Sequence, residues 1–242
     1  MNQTFLLLPF IVLAFNISIA QNTTAPEVFQ QYDQLVSLEN TNLYNGTEFN
    51  DLFLNTDGTY RYFKGFDYSK GSVMYGGQFY ANVPLKYDVL DDNLLTHSED
   101  NLSIFIVRLI PEFIDSFSIH NAEFVRLTDV DKGVVGNGFF EKAFIGNNLK
   151  LYIKHIKKKR DKALKSGIQY RFSDVNFFLI EYKNDYFIAN SAKDVWKNIP
   201  EYNDQIRNFN KTYRQLYKTD RQVFMIKLIG YLDGLLNFGS GH

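Results

Sequence analysis

Asp88, Asp91 and Asp92 crowd into the stretch VPLKYDVLDDNLLTH, which runs from Val83 to His97 directly behind a segment patterned as a β-strand. Carboxylates this close in sequence suit two kinds of chemistry. A pair can share acid and base work on a glycosidic bond if its groups converge to roughly 5–9.5 Å, and a cluster can hold a hard divalent cation. Asp-Asp-Asn is also ordinary turn chemistry, because these side chains bond their own backbone and tolerate unusual dihedrals. The spacing of a calcium loop is absent, which favours the turn.

The second charged stretch is KHIKKKRDKALK, Lys154 to Lys165, where Asp161 is the lone acid. Lys154, Lys157, Lys158, Lys159, Arg160 and Lys162 form a candidate ligand-binding patch for lipid phosphates, lipopolysaccharide, an acidic glycan or another acidic envelope partner. Its plainer reading is a solvated strand end whose lysines discourage edge-to-edge pairing. His97, His120 and His155 are isolated in sequence and expected on surfaces or loops, with His242 in the tail. There is no cysteine, no nucleophile elbow and no phosphate-cradling glycine loop, so no catalytic residue, metal or cofactor is assigned.

These groups must be carried by sheet. Aromatic residues make up 17% of the chain, with 23 Phe and 16 Tyr against one Trp, a composition suited to half-buried pleated surfaces. From Leu43 to Ala189 the pattern is mainly strands separated by Gly, Asn and Asp turns. Phe79, Ala81, Val83, Leu85, Tyr87 and Val89 alternate with Asn82, Pro84, Lys86 and Asp88, and Pro84 predicts an edge strand or a bulge. Leu102 to Ile110 predicts a strand buried on both faces and ended by Pro111. Hairpins are predicted across Gly146-Asn147-Asn148 and Lys183-Asn184-Asp185.

Tyr60, Tyr62, Phe63, Phe66, Tyr68, Tyr75, Phe79 and Tyr80 offer either a glycan or apolar-ligand surface or, more simply, sheet core. A short helix is expected from Pro26. Beyond Ser191 the period becomes helical: Ser191 caps a helix that Pro200 closes, Tyr202 to Leu216 step by four and three, and Thr219-Asp220-Arg221-Gln222 opens the last helix with a capping box. The predicted stripe of that helix runs Val223, Ile226, Leu228 with Ile229, Leu232, and Leu235 with Leu236.

The apolar run Phe5 to Phe15, followed by Ser18 and Ala20, predicts a signal peptide over 1–20, cleaved after Ala20. Export without cysteine points to a bacterial envelope. The formal net charge of −1 gives no reason to expect a nucleic acid partner, and no transmembrane span is expected after cleavage. The segments LYNGTEF, GSVMYGGQFY, VPLKYDVLDDNLL, GFFEKAFIGNNLKLYIKHIKKK and FFLIEYKNDYFIANSAKDVWK, in that order, resemble a group of uncharacterised exported proteins of Flavobacteria and related Bacteroidetes. That resemblance implies export and supplies no catalytic residue.

The reading is an α+β protein with an antiparallel, aromatic-rich curved sheet over 21–190 and C-terminal amphipathic helices over 191–242, packed on the same domain. Its expected role is a non-enzymatic envelope or secreted binding or assembly protein, located in the periplasm, at the outer membrane or outside the cell. The alternatives are a carboxylate-based hydrolase of glycans using Asp88, Asp91 or Asp92, and a carrier of apolar ligands.

Overall fold

The structure is a computed structural model that describes residues 42–97, 105–130 and 135–239. The expected signal peptide, the helix from Pro26, the start of the strand at 102–104 and the tail past Gly239 lie outside those residues. After a 3-10 turn at Asn42–Tyr44 come β1 (Thr47–Glu48), β2 (Ser69–Tyr75), β3 (Gln78–Asp88), β4 (Asn93–His97) and β5 (Ile106–Arg108). Next are β6 (Ile114–Ile119), β7 (Ala122–Leu127), β8 (Gly138–Ile145) and β9 (Leu149–Lys154). The hairpin β10 (Lys157–Leu164) and β11 (Gly167–Asp174) precedes β12 (Phe177–Tyr182) and β13 (Asp185–Ile188). Helices α1 (Ala192–Asn198), α2 (Asn203–Thr212), α3 (Arg214–Thr219) and α4 (Arg221–Gly239) follow.

Every strand except β10 and β11 joins one open antiparallel sheet, ordered β1-β5-β4-β3-β2-β6-β7-β8-β9-β12-β13. The sheet is strongly curved, and its side chains say so. Neighbouring strands lie about 4.8 Å apart, so four strand spacings separate β3 from β8 by about 19 Å in a flat sheet. The rings of Tyr87 on β3 and Phe139 on β8 are nevertheless 6.2 Å apart, and Tyr87 also meets Phe117 and Phe124. Phe117 and Phe124 stack at 4.6 Å inside the concavity. Aromatic bulk thus fills the concave side, with Val83, Leu85 and Leu94 around it.

A second core lies between β8, β9, β12 and the helices, where Leu149, Leu151, Ile153 and Phe178 meet Phe224, Met225, Leu228 and Leu232. Asp233 fixes this contact: buried on α4, it accepts from the backbone N–H groups of Asn148 at 2.7 Å and Leu149 at 2.8 Å in the β8–β9 turn. A Cβ on Gly146 would strike that carboxyl group, so the turn needs glycine there. The opposite faces of β8, β9 and β12 bury Phe140, Tyr152 and Leu179, leaving these strands covered on both sides.

The predicted hairpins form as expected, with Lys183 and Asn184 at φ 52° and 62° in the left-handed turn. Four details differ. In β3 the alternation holds from Val83 to Val89 but slips at Asn82 (φ 57°), where a bulge against β2 puts Tyr80 rather than Phe79 and Ala81 on the concave side. Pro84 therefore lies in an interior strand, and it is tolerated because the β4 ladder ends one step earlier, at Leu85↔Thr96. The strand expected to Ile110 is only Ile106–Arg108, half-buried beside the two-residue β1, with Leu109 alone turning fully inward. At α4 the cap is Asp220, which accepts from Val223 N–H at 3.0 Å, while Thr219 bonds back to Gln215; Val223 is exposed and Phe224 and Met225 take the buried stripe.

Candidate functional site

The aspartates of the β3–β4 turn are engaged by cations that lie far from them in the sequence. Asp88 ends β3 on the face turned away from the concavity, where the segment 49–68 folds over it. Arg61 from that segment is buried and grips Asp88 through Nε to Oδ1 at 2.9 Å and Nη2 to Oδ2 at 2.5 Å. The same guanidinium donates to Asp91, lies 3.7 Å from Asp51, and is flanked by the rings of Phe49 and Phe53. Burial pushes the Asp88 carboxyl above its ordinary range against the pull of Arg61. Burial also opposes the guanidinium charge, but Asp88, Asp91 and Asp51 more than offset this and raise it.

Asp92 points the other way and closes the curve of the sheet. Its Oδ1 accepts from the Tyr87 hydroxyl at 2.5 Å, and its Oδ2 accepts from Lys154 Nζ at 2.6 Å and from the Phe139 N–H at 3.2 Å. The β3–β4 turn is thereby tied to β8 and β9 across the open side of the concavity. Gly138, at φ +129°, is required there, since a Cβ would lie 1.9 Å from Asp92 Oδ2. The three carboxylates do not converge on a common open space: two are turned to Arg61 and one to Lys154. Among the described residues no group of three or more acidic or histidine side chains is placed to hold a metal ion.

The basic stretch splits into three fates. Lys154 belongs to the seam just described and is removed from the predicted patch by burial. Lys157 pairs with Asp174 at 2.7 Å at the root of the β10–β11 hairpin, and Lys159 lies over Phe53 and Tyr170, 3.3 Å from Asp161. Lys158, Arg160 and Lys162 alternate with these along β10, so period two places them on the other face, exposed and without an ion pair among the described residues. The hairpin tip adds exposed Leu164 and Ile168 around Lys165 and Gly167. Its shaft is anchored by Asn55, whose backbone oxygen accepts from Tyr170 N–H at 2.8 Å, and by an ion pair of Arg171 with Asp57.

Histidine placement needs one correction. His155 is buried, with Nε2 2.6 Å from Glu141 Oε2 and its ring packed edge-on against Phe63. It had been expected on a surface because no partner stands near it in sequence; Glu141 reaches it through the β8–β9 pairing. His97 packs against Tyr68, and His120 occupies the β6–β7 turn at φ 51°. The aromatic segment 60–80 is mostly consumed by structure: Phe63, Tyr75 and Tyr80 enter the concave core, and Tyr62, Phe66 and Tyr68 enclose Lys86 Nζ within 4.7 Å of each ring centre. Burial lowers the Lys86 pKa, against the charges of Asp51 and Asp67.

No helix among the described residues is long and apolar enough to cross a membrane. No family model matches the chain, and neither does any curated protein or solved structure.

Proposed function

We propose that this is an exported envelope protein that acts by binding, and that the β10–β11 hairpin docks it on an anionic lipid surface. One observation carries the reading: Lys158, Arg160 and Lys162 share an exposed face and make no ion pair among the described residues, the acid beside them, Asp57, being held by Arg171; the hairpin ends in a tip with exposed Leu164 on that face and Ile168 on the other. Basic residues beside an anionic leaflet contribute about 1 kcal/mol each, and an apolar tip adds burial in the interfacial region. The predicted signal peptide and the resemblance to exported proteins support the location, whether periplasmic, outer-membrane-associated or secreted. The hydrolase alternative draws no support from Asp88, Asp91 and Asp92, whose oxygens are taken by Arg61, Tyr87 and Lys154.

The test is co-sedimentation of the mature chain with vesicles of phosphatidylglycerol or of phosphatidylcholine over a range of salt. Binding is expected to phosphatidylglycerol only, to weaken as salt rises, and to disappear when Lys158, Arg160 and Lys162 are all replaced by Ser. Equal binding to both lipids, or none to either, sinks the lipid reading. Retention on an immobilised acidic glycan with no vesicle binding moves the partner to that class.

A further inference from the structure

Leu52 and Leu54 are the two most exposed large apolar side chains among the described residues, at 76% and 75%. The segment that carries them is held at three points. Asp51 accepts from the Phe53 N–H at 2.9 Å and from the Tyr62 hydroxyl at 2.6 Å. Phe53, between the leucines, turns inward, edge-on to Tyr170 at 4.9 Å, with Lys159 Nζ 4.4 Å from its ring centre. Asn55 ties the segment to β11: its side-chain amide donates to the Ile168 oxygen at 2.8 Å, and its backbone oxygen accepts from the Tyr170 N–H. With Phe53 pinned inward, the alternation of an extended chain directs both leucines outward.

The same contacts put the leucines beside the hairpin tip. Leu54 precedes the residue bonded to Ile168, and Ile168 pairs with Ala163, next to Leu164. Leu164 and Ile168 are exposed as well, so two segments far apart in sequence bring four uncovered aliphatic side chains together.

The charges indicate what covers them. All four acids of residues 51–57 and 157–174 are matched: Asp51 lies 3.7 Å from Arg61, Asp57 pairs with Arg171, Asp161 with Lys159 and Asp174 with Lys157. Lys158, Arg160, Lys162 and, at the tip, Lys165 are exposed and make no ion pair among the described residues. Aliphatic side chains flanked by unmatched cations suit the layering of an anionic bilayer, with phosphates outermost and acyl chains beneath.

We infer that Leu52, Leu54, Leu164 and Ile168 form one apolar wedge that inserts below the headgroups of an anionic bilayer, with residues 51–57 as part of the docking surface. This rests on the lipid-docking reading and adds to it an insertion depth and a segment that charge alone does not implicate.

The chain has no cysteine, so Leu54→Cys carrying a nitrobenzoxadiazole label reports a single site in the full mature chain. On phosphatidylglycerol vesicles bearing a nitroxide at a shallow acyl position, that label is expected to be quenched, and the same label at Lys211→Cys on α2 is not. Leu52→Ser with Leu54→Ser is expected to leave the urea midpoint unchanged and to weaken vesicle binding about tenfold, less than full burial of two leucines would supply. Leu52→Trp with Leu54→Trp should tighten binding, because indole favours the membrane interface. Undiminished binding by the serine variant with an unquenched label at position 54 overturns insertion and leaves charge-driven docking standing, whereas no binding by the wild-type chain overturns both. A wild-type dimer that the serine variant converts to monomer, with the label unquenched, makes a second copy the occupant and overturns the wedge. Should the serine variant lose stability, the label decides the case alone.

Discussion

The β3–β4 turn and the β10–β11 hairpin are both densely charged short stretches of this chain, and the fold treats them in opposite ways. Around the turn, charges are matched, and the deepest of them are buried: Arg61 holds buried Asp88 and the more exposed Asp91, and buried Lys154 holds Asp92. Along the hairpin, Lys158, Arg160 and Lys162 stay exposed and unmatched, although they alternate with Lys157 and Lys159, which found partners. Density of charge in the sequence is the same kind of signal in both places. What separates architecture from a recognition surface is whether the fold supplies the counter-charge.

That contrast makes the turn the place where substitutions cost most. Asp88→Ala leaves Arg61 buried with only the more exposed Asp91 and Asp51 beside it, and stranding one partner of a buried pair typically costs about 3–5 kcal/mol. The urea midpoint should fall accordingly. Replacing both partners, as Arg61→Met with Asp88→Leu, should recover part of the loss, because the two most deeply buried charges are then both gone and only the more exposed Asp51 and Asp91 lose their cation. If the single and double variants unfold at the wild-type midpoint, the pair is not the buried anchor described above.

Asp92→Ala comes next, at about 2–4 kcal/mol, since it strands the buried Lys154 ammonium, the Tyr87 hydroxyl and the Phe139 N–H together. Hydrogen exchange locates the effect: protection should fall first at the ends of β8 and β9 that meet the turn. Uniform loss of protection through α4 instead would show that the seam does not act locally.

The contrast was only half legible in the sequence. Period two identified Asp88 and Lys86 as sharing a face opposite Val83, Leu85 and Tyr87, and that is where they lie. Period two marks that face only as polar, because nothing local announces that residues 49–68 cover it with Arg61 and three rings around Lys86. Lys154 illustrates the same limit. Alternation put it opposite Leu151 and Ile153 correctly, yet its partner Asp92 lies across five strand spacings of the sheet and meets it only because the sheet curls. Helical caps and hairpin turns, whose causes are local, were readable to within a residue or two: Asp220 replaced Thr219 as cap, and a bulge at Asn82 shifted one strand's phase.

Buried tyrosines extend the comparison to pH. Burial raises the pKa of Tyr62, Tyr68, Tyr87 and Tyr152, with Asp51, Asp92 and Glu181 reinforcing the shift at the first, third and fourth, and Tyr68 is pushed up to about 12. An acid whose folded pKa exceeds its unfolded value keeps its proton more tightly when folded. Its contribution is full below about pH 10, the unfolded value, and is lost as pH rises towards the folded value. The denaturant midpoint should therefore decline above pH 10. Tyrosinate absorbance should appear in two waves, exposed rings first and these buried ones only as the chain opens. A single wave near pH 10 without unfolding would contradict their burial.

The smallest stability effect belongs to the hairpin, and its smallness is the informative part. Replacing Lys158, Arg160 and Lys162 with Ser removes no ion pair, and surface changes of this kind are usually within about 0.5 kcal/mol each. Relief of the repulsion between Arg160 and the directly opposite Arg171 even works in favour of the folded state. Lys157→Ala differs, because it frees Asp174 at the hairpin root from a 2.7 Å contact. The unmatched set should thus leave the thermal midpoint almost unchanged while abolishing capture by phosphatidylglycerol vesicles, and Lys157→Ala should lower the midpoint slightly while leaving capture largely intact. The reverse assignment of effects would mean that these cations hold the hairpin together and do not form a surface for a partner, because a charge retained only for stability must show its loss in stability.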